Sequence, residues 1–252
     1  MTKELEFRVI EEAVGGVALD SAVLIYRGAN STAFATVHPI HHDDAGAASI
    51  LPGRPMTMLA VARLAKRLGS ARRPGGFVPM NLLYQDLTTM AWWVPPARRH
   101  IWFRCTGGEL GAPERGESVP HPGLVFAATS DRTWRVWAVK GCDRPSEATP
   151  LFQAPYFNVY GTGAICQGNV DVPTGGFAGS VADRIEAWNK AFFDSFFTHP
   201  NTQGPLVTYK GGPYRFWRDM LDGRHAVFPE SALVPLGTSL AQVLDRRGPD
   251  GG

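Results

Sequence analysis

Cys166 is the residue whose sequence context best supports chemistry. It lies in APYFNVYGTGAICQGN, residues 154–169, eight positions after Asn158, and the glycines between the two argue against a regular helix or strand. The surrounding stretch, 143–179, is rich in Pro, Gly and Asn and longer than an ordinary connector, which usually signals a functional loop. A thiol displayed there could act as a nucleophile. Spacing alone also leaves open a structural cysteine, packed as a small apolar side chain.

Other candidate chemistries have weaker support in the sequence. Cys105 and Cys142 fall at the ends of predicted strands, where a free cysteine is usually a small buried apolar residue. Three cysteines form neither a disulfide framework nor paired metal-ligand spacing, and HPIHHDD, residues 38–44, lacks a second ligand cluster, so no metal site is predicted. The sequence also lacks a phosphate-binding Walker loop and the GxSxG nucleophile elbow of serine hydrolases.

Composition and charge are those of an ordinary globular protein. The 252 residues are 44% hydrophobic and 19% charged, enough for a sizeable core, and 28 Gly with 20 Pro favour many turns and short elements. A net charge of +2 gives no reason to expect binding to nucleic acid or a membrane. The sequence starts without the apolar core of a signal peptide and has no run of about 18 apolar residues. We therefore expect a cytoplasmic protein.

Short segments rich in aromatic and β-branched residues, most of them separated by turn residues, predict a fold rich in antiparallel strands. Three short strands with glycine-rich turns open the chain, and a succession of aromatic segments follows a basic loop. Strands are predicted at 4–10, 21–27, 32–38, 81–87, 89–95, 99–105, 123–130 and 133–141. The tryptophans at 92, 93, 102, 134 and 137 are interpreted as core or sheet-face residues rather than a ligand site.

Three helices are predicted beside these strands. A helical apolar period indicates one over 55–68 and another over 180–197, and a third covers 214–221. The second begins at Ser180 as N-cap, with Asp183 close to a capping box. Its buried stripe is expected to contain Ile185, Trp188, Phe192 and Phe196, with Phe193 beside them. The last residues, 246–252, are interpreted as a disordered tail, and the fold class is α+β.

The segment around Cys166 resembles the active site of ubiquitin-conjugating enzymes, in which a His-Pro-Asn triplet is followed by a loop, a glycine, two residues and the catalytic cysteine. Here Tyr156, Phe157 and Asn158 occupy the triplet, Gly163 lies three residues before Cys166, and the Asn-to-Cys spacing is kept. Because the histidine and proline of the triplet are replaced, support for the loop must come from other contacts, such as the Tyr156 hydroxyl.

More narrowly, the chain resembles PRTRC system protein B, a bacterial, often plasmid-encoded UBC-like family. WWVPPARRHIWF, APYFNVYGTGAICQGN, AFFDSFFTHPN and GGPYRFWRDML carry this closer resemblance, which spans most of residues 75–222. It implies an α+β, UBC-like fold with an antiparallel β meander flanked by helices over 53–225. An N-terminal β-rich extension at 1–52 and a partly disordered C-terminal tail at 226–252 would complete the chain.

The resemblance also implies a thioester carrier. A ThiF-like enzyme would activate a small ubiquitin-like protein and pass it to Cys166, from which an amine would displace it without further ATP. A JAB-type metalloprotease would belong to the same system, and no cofactor is implied. An isopeptide conjugate and another acyl transfer, including sulfur-transfer chemistry, both remain open as the outcome.

Roles for individual site residues follow from this resemblance. Cys166 would be the nucleophile, and Asn158 would donate to the oxyanion or brace the loop, with an Asx-turn as the alternative. His199 or Asp171 would deprotonate and orient the incoming amine, since an unperturbed histidine titrates near pH 6.5. A helix-end histidine can instead cap carbonyl groups. Binding roles are predicted for Tyr156, Phe157, Gly163 and Gln167.

Two other function classes stay open. A noncatalytic UBC-like binding module or scaffold in the same system would use the fold without the thiol, although the retained Cys166 favours catalysis. An unrelated cysteine hydrolase would need a clear histidine partner and a cysteine at a helix N-terminus. Cys166 instead follows a glycine loop and precedes QGNVDVPTGG, so the hydrolase ranks last.

Overall fold

The chain forms two compact units, Met1–Gly75 and Gly76–Gly252. A computed structural model describes residues 8–9, 19–27, 33–44, 46–57, 59–61, 64, 77–86, 88–129, 133–167, 170, 172–173 and 180–245. The domain boundaries expected at residues 52 and 225 stay predictions. Residues 235–245, expected to lie in a tail, form a strand and a helix of the second unit, and residues 246–252 lie outside the described residues.

The first unit contains an antiparallel sheet. Its strands are β1 (Arg8–Val9), β2 (Ser21–Arg27), β3 (Ala33–His42), β4 (Ala48–Ile50) and β5 (Arg54–Pro55). The strand order is β1-β4-β3-β2, and β5 also pairs with β3. The β-rich character predicted for this part of the chain is therefore present in its described residues.

The helix predicted over 55–68 does not begin at Pro55 but a few residues later. Pro55 ends β5, and the backbone N–H of Met56 donates to a carbonyl oxygen of β3 at 2.7 Å, so the chain is still extended there. Residues 59–61 and 64 are helical, and the Thr57 carbonyl accepts the first helical hydrogen bond. The remainder of the predicted helix lies outside the described residues.

The described residues of the second unit contain nine strands in two sheets. They are β6 (Leu82–Gln85), β7 (Thr89–Val94), β8 (Ala97–Arg104), β9 (Glu114–His121), β10 (Gly123–Thr129), β11 (Trp134–Val139), β12 (Pro150–Gln153), β13 (Phe196–Phe197) and β14 (Pro235–Ser239). One sheet has six antiparallel strands in the order β14-β12-β11-β10-β7-β6. The other has the order β13-β8-β9. These sheets, antiparallel except for the pairing of β13 with β8, and the small share of helix confirm the α+β fold class.

β8 and β9 interrupt the predicted meander. β10 pairs directly with β7, bringing Phe126 opposite Trp92, while β8 pairs with β9 and, in parallel, with β13. Pro95 and Pro96 separate β7 from β8 and prevent one strand from continuing into the next. β9, ERGESVPH, was missed because its polar residues, glycine and proline do not form a strand pattern.

The six-stranded sheet is covered on both faces. Along β10, Leu124 and Phe126 face the larger core while Val125 and Ala127 face a smaller one, as strand alternation requires. In the larger core Phe126 stacks on Trp92 with ring centroids 5.4 Å apart. Each such fully buried side chain contributes about 1.5–3 kcal/mol. The interpretation of the tryptophans as core or sheet-face residues is correct: those at 92, 134 and 137 are buried, Trp93 packs against the smaller core, and Trp102 lies on the face of β8 with 42% of its surface exposed.

In the part of the second unit that the structure describes there are three α-helices: α1 (Val181–Phe193), α2 (Gly212–Leu221) and α3 (Leu240–Asp245). Ser180 and Asp183 form the predicted capping box of α1, and Ile185, Trp188 and Phe192 are buried as expected. No helix among the described residues is both long and apolar enough to span a bilayer.

The prediction that the helix after Ser180 continues to residue 197 is wrong. Asp194 is the C-cap of α1, and the Ser195 hydroxyl donates to the Phe192 carbonyl oxygen at 2.7 Å. The chain then becomes extended as β13, which joins β8 in parallel. Phe196, expected in the buried stripe of the helix, is instead partly exposed on β13.

Candidate active site

The segment leading to Cys166 is anchored in the core and then turns into a short hairpin. Residues 154–157 are buried, and the Trp217 indole N–H donates to the Pro155 carbonyl oxygen at 2.7 Å. Asn158 then adopts a left-handed backbone conformation, with φ of 64°. The Cys166 N–H donates to the Asn158 carbonyl oxygen at 2.7 Å, which closes the hairpin.

Strand-like alternation in this hairpin sends the chemical side chains to one face. Val159 is fully buried and pairs with Ile165, which packs on the core. Tyr160 and Cys166 alternate with these two residues, so their side chains lie on the opposite, partly exposed face. The Tyr160 hydroxyl lies near enough to the Cys166 thiol for the interaction between them to raise the pKa of Tyr160. Cys166 is therefore presented to solvent with a phenol as neighbour.

Gly163 holds the tip of the hairpin against the large sheet. Its φ is +82°, and a Cβ at this position would lie 2.5 Å from the Trp137 indole nitrogen. Its carbonyl oxygen accepts a hydrogen bond from the Val136 N–H at 2.8 Å. Gly163 is buried, and only a residue without a side chain fits this contact, so it has a structural role here. The binding role predicted for it stays a prediction.

Tyr156 and Phe157, predicted to bind a partner, are core residues. Both are 0% exposed, so neither is accessible to another protein. The Tyr156 hydroxyl oxygen lies 2.7 Å from His121 Nδ1. Burial raises the pKa of Tyr156. Burial and the nearby Arg99 guanidinium lower the pKa of His121 to about 3. The Tyr156 hydroxyl was expected to support the active-site loop, and its hydrogen-bond partner is His121 at the end of β9.

The Asn158 side chain joins the hairpin to the segment that follows α1. Its Nδ2 group donates to the Phe196 carbonyl oxygen at 2.9 Å. Its Oδ1 atom accepts from the Thr198 N–H at 3.2 Å and from the Thr198 hydroxyl at 2.9 Å. The backbone N–H of Asn158 donates to the His199 carbonyl oxygen at 3.0 Å. These contacts differ from the Asx-turn alternative, which bonds Oδ1 to the backbone two residues further along.

The three cysteines occupy different environments. Cys105 is buried, its S–H donates to the Thr198 carbonyl oxygen at 3.1 Å, and burial raises its pKa to about 11. Cys142 is exposed on the surface, and Cys166 is partly exposed. Of the three, Cys166 alone lines the cleft described next. An accessible thiol beside a cleft can attack an acyl group that the cleft holds.

A cleft of about 800 Å³ opens beside Cys166. Its walls come from the hairpin, from α1, from the segment after α1 and from β8. Both charge signs are present, because Lys190 and Asp194 of the wall form an ion pair with each other. The lining residues are Arg104, Asn158, Cys166, Gln167, Val170, Pro173, Ala187, Lys190, Ala191, Asp194, Ser195, Phe196, Thr198 and His199. Such a mixed lining suits an extended peptide or a long amine side chain.

His199, Gln167 and Asp171 have different outcomes. His199 is exposed, lines the cleft with Cys166, and places Nδ1 2.9 Å from the Thr198 hydroxyl. The alternative that it caps a helix end is wrong, since α1 ends at Phe193 and His199 follows β13. Gln167 also lines the cleft, and its predicted binding role stays a prediction. Asp171 lies outside the described residues.

Two residues of the cleft were assigned no role of their own from the sequence. Thr198 bonds both Asn158 and His199, yet THPN shows no local pattern that would single it out. Arg104 places its guanidinium carbon 4.0 Å from the centroid of the Phe196 ring, a contact that exists only because β13 pairs with β8. Neither contact could be predicted from the spacing of residues in the sequence.

Comparison with known proteins agrees with this geometry at the level of the family. The sequence model of prokaryotic E2 family D matches residues 58–236, more than two thirds of the chain. Neither a curated protein nor a solved structure matches this chain. The match includes the Asn158 hairpin, Cys166, α1 and the segment that carries His199. The chain therefore belongs to prokaryotic E2 family D, a family of E2-like proteins of the ubiquitin-conjugating type.

Proposed function

We propose that this protein carries a small ubiquitin-like protein on Cys166 as a thioester and passes it to an amine. The observation that carries the proposal is the position of Cys166: a partly exposed thiol at a cleft, held by a hairpin that Asn158 braces from both its backbone and its side chain. A structural cysteine packed into the core, like Cys105, would need none of this arrangement.

The chemistry proceeds in two exchanges. The Cys166 thiolate attacks the thioester of the charged activating enzyme, and the enzyme's own thiolate leaves. An amine then attacks the new thioester, and Cys166 leaves. In this proposal the second hydrogen of Asn158 Nδ2, the one not directed at Phe196, donates to the oxyanion. A comparable oxyanion donor contributes about 3 kcal/mol.

The partners in this proposal are those of a PRTRC-type system. A ThiF-like enzyme activates the ubiquitin-like protein with ATP, and a JAB-type metalloprotease cleaves conjugates in the same system. Support for this finer assignment comes from the four sequence segments that resemble PRTRC system protein B.

The test is to mix the purified full-length protein with the ThiF-like enzyme, the ubiquitin-like protein and ATP, and to follow intact mass with and without reductant. We expect a reductant-labile adduct that is lost in Cys166→Ala and replaced by a reductant-stable ester in Cys166→Ser. Cys142→Ala removes the other accessible thiol and is the matched control, which should retain the adduct.

Two outcomes would refute the carrier function. An adduct that persists in Cys166→Ala would assign the chemistry to another residue. No adduct, while the activating enzyme demonstrably charges itself, would favour the noncatalytic binding module. One observation favours that alternative: both ends of the Asn158 amide already bond to residues 196–198, so the side chain has a structural role without any catalysis.

A further inference from the structure

Asn158, Thr198 and His199 form a chain of hydrogen bonds that ends in the cleft. The orientation of the Asn158 amide is determined by its two partners. A carbonyl oxygen, that of Phe196, can only accept, so it requires Nδ2, and the Thr198 N–H can only donate, so it requires Oδ1. Rotating the amide by 180° would place Oδ1 against the Phe196 carbonyl oxygen and Nδ2 against the Thr198 N–H, and neither pair can form a hydrogen bond.

The proton of the Thr198 hydroxyl is assigned by the same reasoning. Asn158 Oδ1 has no hydrogen, so the Thr198 hydroxyl donates to it at 2.9 Å. A hydroxyl has one hydrogen, and it is now used. The second contact of this hydroxyl, 2.9 Å from His199 Nδ1, must therefore have Nδ1–H as the donor and the threonine oxygen as the acceptor.

This assignment determines the tautomer of neutral His199. With the hydrogen on Nδ1, the lone pair of the ring is on Nε2. Among the described residues Nε2 has no hydrogen-bond donor directed at it, and His199 is exposed at the cleft that Cys166 also lines. Protonation of Nε2 leaves the bond from Nδ1 to Thr198 unchanged, because Nδ1 carries its hydrogen in both the neutral and the charged ring.

We propose that Thr198 is a positioning residue that holds neutral His199 as the Nδ1–H tautomer, so that Nε2 accepts the proton of the attacking amine. This inference rests on the proposed function. It assigns the acceptor-side base to a specific atom and assigns Thr198 a role that acts through His199 rather than by contact with the substrate.

The step balances without a further reactant. The amine nitrogen attacks the thioester carbonyl carbon, the C–N bond forms, and the π electrons move to oxygen. Re-formation of the carbonyl breaks the C–S bond and releases Cys166 as a thiolate. The proton lost by the amine moves to Nε2, and the imidazolium then returns it to the thiolate or to water.

The first measurement concerns the uncharged protein and needs no partner. Two-bond proton–nitrogen correlation spectra of the full chain, labelled with nitrogen-15 at histidine, distinguish the two tautomers. His199→Gln identifies the His199 signals by their loss. We expect neutral His199 to be Nδ1–H in the wild type and in Thr198→Ser, which keeps the hydroxyl, and to shift towards Nε2–H in Thr198→Val, which keeps the shape. A wild-type Nε2–H tautomer, or an unchanged tautomer in Thr198→Val, would overturn the proposal.

The second measurement follows aminolysis per loaded molecule. In a Cys142→Ala background, Cys166 is loaded with a short glycine-ended peptide by thioester exchange, and its discharge to excess free lysine is timed. We expect His199→Gln to slow discharge about 100-fold, the lower end of general-base effects. Thr198→Val should slow it about tenfold, with recovery in Thr198→Ser.

The double variant separates positioning from bracing. If Thr198 acts through His199, Thr198→Val combined with His199→Gln discharges no more slowly than His199→Gln alone. If the double variant instead slows discharge by the product of the two single effects, Thr198 only braces Asn158, and the proposal is overturned. Because the peptide is loaded chemically, a protein that the activating enzyme never charges refutes the carrier function, while the tautomer and the aminolysis rates still decide the roles of Thr198 and His199.

Discussion

We expect acid to destabilise this protein through one buried histidine. His121 is 1% exposed, and its Nε2 lies 3.2 Å from the Arg99 carbonyl oxygen, which can only accept. Nε2 therefore carries the hydrogen of the neutral ring, and Nδ1 accepts from the Tyr156 hydroxyl at 2.7 Å. A proton added to Nδ1 would place a positive charge in a buried site beside the Arg99 guanidinium and would force the Tyr156 hydroxyl to turn its hydrogen away.

The magnitude follows from the two pKa values. Burial lowers the pKa of His121 to about 3 in the folded protein, whereas a histidine in an unfolded chain has a pKa of about 6.5. Between these values the unfolded state binds one more proton, so the free energy of unfolding falls as the pH falls, by about 1.4 kcal/mol per unit. From pH 7 to pH 5, His121 alone should lower the free energy of unfolding by about 2 kcal/mol. Above pH 6.5 His121 is neutral in both states and lowers the stability no further.

Urea denaturation at pH 7 and pH 5 measures this contribution. His121→Gln keeps an amide that can accept from Tyr156 and donate to the Arg99 carbonyl but cannot titrate, so its loss of stability between the two pH values should be about 2 kcal/mol smaller than that of the wild type. His100→Gln, an exposed histidine of β8, is the matched control and should lose as much as the wild type. Equal losses in His121→Gln and the wild type would refute the reasoning.

Two further predictions concern the hairpin and the thiols. Gly163→Ala should lower the free energy of unfolding by about 3 kcal/mol, from left-handed strain plus the clash with Trp137, whereas Gly141→Ala, at φ +77° with nothing within 4 Å, should cost only about 1 kcal/mol. Equal values in urea denaturation would contradict the clash. Iodoacetamide at pH 8 should modify Cys142 within minutes and leave Cys105 unmodified, because a pKa of about 11 leaves roughly one Cys105 thiol in a thousand ionised. Peptide mass mapping would contradict this if Cys105 reacted as readily in the folded protein.

Local patterns predicted the elements that carry their own signals. The capping residues and apolar period of α1 identified its start and its buried face. Short runs of apolar, aromatic and β-branched residues identified strands β2, β7, β10 and β11. β9, β12 and β14 were missed, because each contains proline and two contain glycine, and pairing rather than propensity makes them strands. The end of α1 was wrong because Phe196 and Phe197 keep the apolar character of the helix while pairing with β8.

Within the site, sequence and tertiary structure determined different things. Asn158 and Cys166, with the glycine between them, could be singled out from residue types and spacing, since a hairpin of this length depends on residues close in sequence. The partners of Asn158 could not be: Phe196, Thr198 and His199 lie about 40 residues away, and strand pairing brings them to the hairpin. Accessibility was likewise decided by packing, which buried Tyr156 in the larger core while leaving Cys166 partly exposed. Both are long-range properties, because burial and hydrogen-bond partners depend on which elements meet rather than on the order of residues within any one of them.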